Sequence, residues 1–320
     1  MLQINKLEKK YKYINALDGV DLHIEDGSLF GMVGPNGAGK TTLIKVITGI
    51  VRPTAGGYSI AGIDAIENPQ EVKGIIGYIP DNFASYDELT VYEYMEFFAY
   101  CHDITGLRAR SRCEELLKQV SMFDRRDVPV STLSKGMQQR VCLARALIHD
   151  PRFIIMDEPT NGLDPGTRHE FKEIVRELCA QGKTILISSH VLSELAEICT
   201  DIGIIMDGKM KVTGRVSDIL DRAASANPIM VKVLDGEAIA LSIFKKDACV
   251  KSISVHEKSF TLGFDGGKED EAILLQTLID NEIPVSSFVR KAGDLESFFM
   301  SITDKEKERL VLSSENEAYI

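Results

Sequence analysis

The chain has 320 residues, 44% of them apolar and 27% charged, and at roughly 150 residues per domain that length implies about two domains, each with its own core. These proportions exclude a disulfide-stapled miniprotein, wholesale disorder and a collagen-like or coiled-coil rod. Lys and Arg number 37 against 48 Asp and Glu, a net charge of −11 that repels nucleic-acid backbones and anionic membrane surfaces, so nucleic acid is not an expected partner.

No apolar run approaches the roughly 18 residues of a spanning helix, and the stretch from Met1 to Lys12 is polar, without a signal-peptide apolar region. The six cysteines (Cys101, Cys113, Cys142, Cys179, Cys199 and Cys249) are widely spaced and form no C-x-x-C pair. They read as small apolar residues of a reducing compartment, and a cytoplasmic protein is expected.

In chain order, residues 28–33 read as a short apolar strand that runs through Gly34-Pro35-Asn36-Gly37-Ala38-Gly39 into a helix opening at Lys40-Thr41-Thr42. Residues 76–79 read as a strand ahead of Pro80 and Asp81. From about residue 82 to residue 150 the pattern becomes helical, with helices at 91–101, 108–120 and 138–148, which predicts a helical insertion. The aromatic residues Tyr92, Tyr94, Phe97, Phe98 and Tyr100 supply a packed core there, and those left exposed a groove for a partner's helix. Residues 153–156 and 184–187 are continuous apolar runs that fit strands buried on both faces of a sheet. Between them, residues 166–180 carry Phe171, Ile174, Val175 and Leu178 at helical spacing. Strands alternating with helices predict an α/β core.

After Arg222, small residues and Pro228 mark a boundary, giving one domain over residues 1–222 and another over 223–320. The second domain reads as small α+β: strands at 229–234, 250–255, 259–264 and 284–290, helices at 271–279 and 295–302. It holds 17 acidic and 11 basic residues, about half the net charge. The charge run at 304–309 reads as a solvated end.

Gly34 to Thr41 match G-x-x-x-x-G-K-[ST] between a strand and a helix, the context in which backbone N–H groups and a helix N-terminus converge on phosphate oxygens. Lys40 would reach the β and γ phosphates, and the Thr41 hydroxyl would face Mg²⁺. Asp157-Glu158 closes the 153–156 strand, where one carboxylate can hold Mg²⁺ and the next polarise a water. His190 follows a strand and two serines, placed to hydrogen-bond a γ phosphate or a water. His23, His102, His149, His169 and His256 have no such context, and no metal-ligand cluster assembles from them.

Further residues resemble the ATP-binding cassette ATPases. Leu133-Ser134-Lys135-Gly136-Met137-Gln138-Gln139-Arg140 looks like the family's signature sequence, and Pro159-Thr160-Asn161-Gly162-Leu163-Asp164-Pro165 resembles its D-loop. His190 resembles the switch histidine. Tyr11, ahead of Ala16-Leu17-Asp18, resembles the aromatic that stacks on adenine, with Tyr13 as the alternative. Lys40 and Ser134 stand 94 positions apart, too few for the long coiled coil of chromosome-maintenance relatives, and one cassette per chain disfavours the twin-cassette translation factors.

The resemblance implies an α/β fold: a P-loop NTPase core with an antiparallel β subdomain and a helical insertion, followed by the small C-terminal domain. It implies ATP and Mg²⁺ as cofactors. ATP would lie on Tyr11, on Gly34 to Thr42 and on Asp81, with Thr41, Asp157 and Asp81 toward Mg²⁺. Lys40, Glu158 and His190 would be catalytic, Glu158 as general base. It further implies a head-to-tail dimer with a second copy, in which Ser134, Lys135, Gly136 and Met137 close over the other subunit's γ phosphate and Asp164 belongs to the D-loop. The chain is then expected to be the ATPase subunit of a transporter, peripheral on the cytoplasmic face through a separately encoded membrane permease, with export as the expected direction. The alternative is a soluble regulatory or nucleic-acid-associated ATPase.

Three positions depart from the family's commonest form. Asp81 stands where glutamine is usual, which puts coupling geometry in question, and Lys135 and Met137 replace glycine and glutamine, a pattern similar to bacterial exporter-type subunits. The segment from Asp294 to Phe299 resembles one near the end of many such subunits, and the C-terminal domain reads as an accessory module for dimer contact or regulation.

Overall fold

The computed structural model describes residues 1–82, 86, 88–219, 228–256 and 258–290. The chain divides into two compact units, Met1–Val216 and Ser217–Ile320. The expected break after Arg222, the helix at 295–302, the Asp294 to Phe299 segment and the charge run at 304–309 lie outside the described residues.

The first unit is built on a six-stranded sheet of order β10-β9-β3-β8-β7-β6. Its members are β3 (Leu29–Val33), β6 (Ile76–Ile79), β7 (Phe153–Met156), β8 (Thr184–Ser189), β9 (Asp201–Met206) and β10 (Lys209–Arg215). Every residue of β3, β7 and β8 is buried, as expected of parallel strands covered on both faces. The strands from β9 to β6 run parallel, and β10 joins antiparallel at the edge. Their register levels Ile79 with Met156 and Met156 with Ile187. Asp81, Asp157 and Ser188 therefore emerge at the same edge of the sheet, where α/β folds place their ligands.

A second, antiparallel sheet of order β2-β1-β4-β5 uses β1 (Leu2–Tyr11), β2 (Ile14–Ile24), β4 (Ala55–Ile60) and β5 (Ile63–Asp64). Its buried Leu2, Ile4, Leu22 and Ile24 share one core with Leu43, Ile44 and Ile47 of helix α1 (Lys40–Ile47) and with Phe153 and Leu186 of the central sheet. The β1–β2 register shifts three times. Each such bulge breaks the period-two alternation by which a strand is read from sequence.

Helix α2 (Pro69–Ile75) leads into β6. Between β6 and β7 lie α3 (Val91–Cys101), α4 (Gly106–Gln119) and α5 (Lys135–Ala146). A capping box starts α3: Glu93 N–H donates to Thr90 Oγ1, and Thr90 N–H donates to Glu93 Oε2 at 2.8 Å. Tyr94 is wholly buried, with Phe98 tilted against it at 4.9 Å, whereas Phe97 and Tyr100 face solvent. Arg145 of α5 ties the insertion to the sheet by donating to the Tyr94 hydroxyl and the Tyr78 carbonyl. Helix α6 (Pro165–Ala180) joins β7 to β8, and the short α7 (Leu192–Ala196) joins β8 to β9.

The second unit runs β11 (Ile229–Val233), α8 (Glu237–Lys246), β12 (Val250–His256), β13 (Ser259–Phe264), α9 (Lys268–Asp280) and β14 (Val285–Arg290). Its sheet, of order β12-β13-β11-β14, is antiparallel throughout, the split βαβ arrangement. Helix α8 had no counterpart in the sequence reading, because only Ala240 and Phe244 of its ten residues are buried, too thin a stripe to show as a periodicity. Phe244 packs edge-on against Phe260 at 5.1 Å in this unit's core. Phe244→Ala should cost this unit about 3–5 kcal/mol. Hydrogen exchange would show it as lost amide protection in β11 and β13, with β3 and β7 unchanged.

Candidate functional site

Lys40 is the first residue of α1, and Gly39 before it sits at φ 108°, where a Cβ would stand 2.6 Å from the Ala16 carbonyl oxygen. A side chain there would meet both backbone strain and backbone atoms. The turn folds Lys40 inward: its Nζ donates to the Gly34 carbonyl at 2.6 Å and pairs with Glu158 Oε1 at 3.3 Å.

Glu158 and Asp157 are neighbours in sequence with different surroundings. Asp157 is 1% exposed, and its Oδ1 accepts from Ser188 Oγ at 2.8 Å, while Thr41 also hydrogen-bonds its side chain. Burial, reinforced by the charges of Glu158 and Asp81, holds the Asp157 carboxyl above the usual carboxylate range, and the bonds from Ser188 and Thr41 offset this only in part. Glu158 takes φ 48°, a left-handed conformation costing a non-glycine residue about 1 kcal/mol or more. That turn sends its carboxylate into the cleft, where Oε2 meets His190 Nδ1 at 2.9 Å. Ser188 Oγ also accepts from the Glu158 N–H at 2.9 Å, so one hydroxyl holds both acids.

These groups line a cleft of about 520 Å³ formed by Pro35 to Thr42 with Asp81, Glu158, Asn161 and His190. Asp157 lies beneath it. Two contributors were not singled out from the sequence: Asn161, which stood inside the D-loop run, and Ser188, whose signal was the serine pair before His190. Tyr11 does not line this cleft. It is 42% exposed at the end of β1 with the Lys9 ammonium 5.0 Å from its ring centroid, and Tyr13 in the following turn is 99% exposed.

Ser134 to Met137 and Asp164 lie outside the cleft but against one another. Ser134 caps α5, its Oγ accepting from the Met137 N–H at 3.4 Å. Asp164 caps α6, accepting from the Thr167 N–H at 3.0 Å and from the Thr167 hydroxyl at 2.6 Å, bonds that lower its carboxyl pKa. A Cβ on Gly136 would stand 2.3 Å from Thr167 Cγ2, so only glycine allows α5 and α6 this close. Lys135 Nζ lies 2.9 Å from where a Cβ on Gly162 would stand.

The family model described as ABC transporter matches residues 17–161. The linearmycin resistance ATP-binding protein LnrL of Bacillus subtilis is 30% identical over 95% of this chain and 99% of its own length. The chain belongs to the ABC transporter ATP-binding proteins. Nod factor export ATP-binding protein I of Burkholderia pseudomallei is 37% identical over 67% of this chain and 70% of its own. Among solved structures, an ATP-binding subunit of an ABC transporter superposes with a TM-score of 0.63 at 32% identity, covering 69% of this chain and 92% of that one. The ATP-binding cassette MJ0796, solved as a dimer in a post-hydrolysis state with ADP and Pi, gives 0.62 at 28% identity, covering 68% and 99%.

This protein is thus an ABC ATPase on a P-loop NTPase fold, and the cleft is its candidate ATP site. Among the described residues no group of three or more His, Cys, Asp or Glu is arranged to hold a metal alone. The Thr41 hydroxyl with Asp157 and Asp81 nevertheless offers the hard oxygen donors that Mg²⁺ takes. Burial is the main cause of the raised Asp157 pKa, and the nearby charges of Glu158 and Asp81 add to it; a divalent cation held by these oxygens would offset both, so the residues fit the ion.

A carboxyl whose folded pKa lies above its unfolded value contributes stability that is complete below the unfolded pKa and lost as pH rises through the folded one. At neutral pH ionised Asp157 is therefore a burden on the fold. Asp157→Asn, whose amide oxygen still accepts from Ser188 and whose NH2 can donate to the Thr41 hydroxyl, should raise the melting temperature at neutral pH while abolishing Mg²⁺-dependent ATP hydrolysis. A lowered melting temperature would contradict the burial argument.

Proposed function

We propose that this chain dimerises head to tail around two ATP and drives separately encoded membrane permease subunits, in the direction of export. The observation that carries the reading is the Glu158 carboxylate, shared between Lys40 and His190 inside the phosphate-loop cleft.

In this reading ATP phosphates lie along Gly34 to Thr42, on the backbone N–H groups of every residue there but Pro35, and draw Lys40 Nζ away from Glu158, which releases that carboxylate to accept a proton from the attacking water. His190 holds the Glu158 carboxylate in place and hydrogen-bonds the phosphate side of the cleft. Thr41, Asp157 and Asp81 would hold Mg²⁺, which would supply charge neutralisation for the phosphates. The partner subunit's Ser134 and Gly136 add hydrogen-bond donors and the positive end of α5 to a polyanion that one subunit satisfies only in part. Each ATP becomes part of the interface, so ATP favours the closed dimer and hydrolysis releases it. Tyr11 stacks on adenine, with Tyr13 as its alternative. The second unit is an accessory module for dimer contact or regulation.

Membrane partners and export are supported from two sides. No helix among the described residues is long and apolar enough to cross a membrane, and relatives carry Nod factor export and linearmycin resistance in their names. The chain then works on the cytoplasmic face.

Glu158→Gln should keep ATP binding and slow phosphate release by about 10²- to 10⁴-fold, and near-native release would remove the general base. A pull-down from detergent-solubilised membranes should recover a polytopic membrane protein. Recovery of soluble or nucleic-acid partners alone would refute the transporter reading in favour of a soluble regulatory ATPase.

A further inference from the structure

Helix α7 follows His190 by one residue and is only five residues long, too short to hold its own shape. Leu192 and Leu195 bury its apolar side. Its charged side is bound to α6. Arg168 forks, one guanidinium nitrogen on Glu194 Oε1 and the other donating to the Leu163 carbonyl at 3.0 Å. The second Glu194 oxygen accepts from Thr160 Oγ1 at 3.3 Å. One turn further along α6, Lys172 Nζ pairs with Glu197 at 2.7 Å.

The two pairs differ in what they hold. Thr160 lies two residues beyond Glu158, Leu163 directly precedes Asp164, and α7 carries the backbone that sets His190. Three segments, each bearing a site residue, thus converge on Arg168 and Glu194. Both side chains are largely shielded, at 31% and 17% exposure, whereas the carboxylate partner of Lys172 is 63% exposed. A forked guanidinium fixes its partners in orientation as well as distance. The Glu158–His190 contact of 2.9 Å spans the end of β7 and the start of α7, and a small displacement of α7 would open it.

We propose that Arg168 and Glu194 are positioning residues for ATP hydrolysis: together they hold the His190 segment and the D-loop in register with Glu158. Neither lines the nucleotide cleft, and both act through the residues they orient. The inference rests on the assignment of Glu158 and His190 to hydrolysis.

The test uses the full chain, with kcat and KM for ATP from steady-state hydrolysis and melting temperatures for each variant. Arg168→Ala and Glu194→Ala should lower kcat about tenfold or more, while KM for ATP stays within about twofold because the phosphate loop is untouched. Arg168→Lys, which keeps the charge and loses the fork, should recover only part of the rate. Lys172→Ala, which breaks the neighbouring pair on the same two helices, should lower the melting temperature with kcat unchanged. In a His190→Ala background Glu194→Ala should cost far less than it does alone, the mark of two residues acting as a unit. Equal kcat for Glu194→Ala and Lys172→Ala, or a Glu194→Ala loss undiminished by His190→Ala, overturns the proposal. Glu158→Gln separates the two layers. Native turnover in that variant removes the hydrolytic assignment and this proposal with it, whereas a stalled Glu158→Gln beside a native-rate Glu194→Ala removes the positioning role alone.

Discussion

Two consecutive carboxylates at the end of β7 must serve opposite environments, and much of the first unit meets that constraint. Asp157 goes down into a buried place beneath the phosphate loop, and Glu158 goes out into the cleft. A strand that continued its alternation would also point them apart, but not toward these partners. The left-handed turn at Glu158 redirects its carboxylate to Lys40 and His190, and Ser188 of the adjacent strand clamps both acids. The strain is local, and the β6-β7-β8 register over-determines it by bringing three strand ends level.

The charge pattern follows from that arrangement. Lys40 is nearly buried and has three acceptors within reach, the Gly34 and Pro35 carbonyls and Glu158. A buried ammonium needs that degree of satisfaction. Asp157 has hydroxyl partners and, among the described residues, no cationic hydrogen-bond partner, and burial raises its pKa. The site thus keeps one acid neutralised by a lysine and leaves the other strained toward a cation, a division of labour that one strand end could not produce without the neighbouring strands.

Helix α6 connects this centre to surfaces outside the cleft. On one side it receives α5 through the Gly136–Thr167 approach and the Arg140–Glu170 ion pair. On the other it receives α7 through Arg168 and Lys172. The residues that resemble the signature and the residues around His190 are therefore packed against a single rigid element. Polar pairs of this kind contribute little to stability when exposed, and they fix orientation when shielded.

Much of this was legible in the sequence because the informative segments act locally. Eight residues from Gly34 to Thr41 specify a phosphate-binding turn by backbone conformation, and runs such as residues 153–156 announce buried strands by composition alone. The bulged β1–β2 pair and the thinly buried α8 were not legible, since register and burial depend on residues distant in the chain. Nor could sequence show that Ser188, thirty residues beyond Glu158, would hold it, or that Tyr11 would stand outside the cleft. The sequence by itself determined which chemical groups are present and that the chain is an α/β ATPase of one cassette. Only the tertiary structure decided which groups meet, because strand register and the turn at Glu158 set distances that spacing along the chain does not encode.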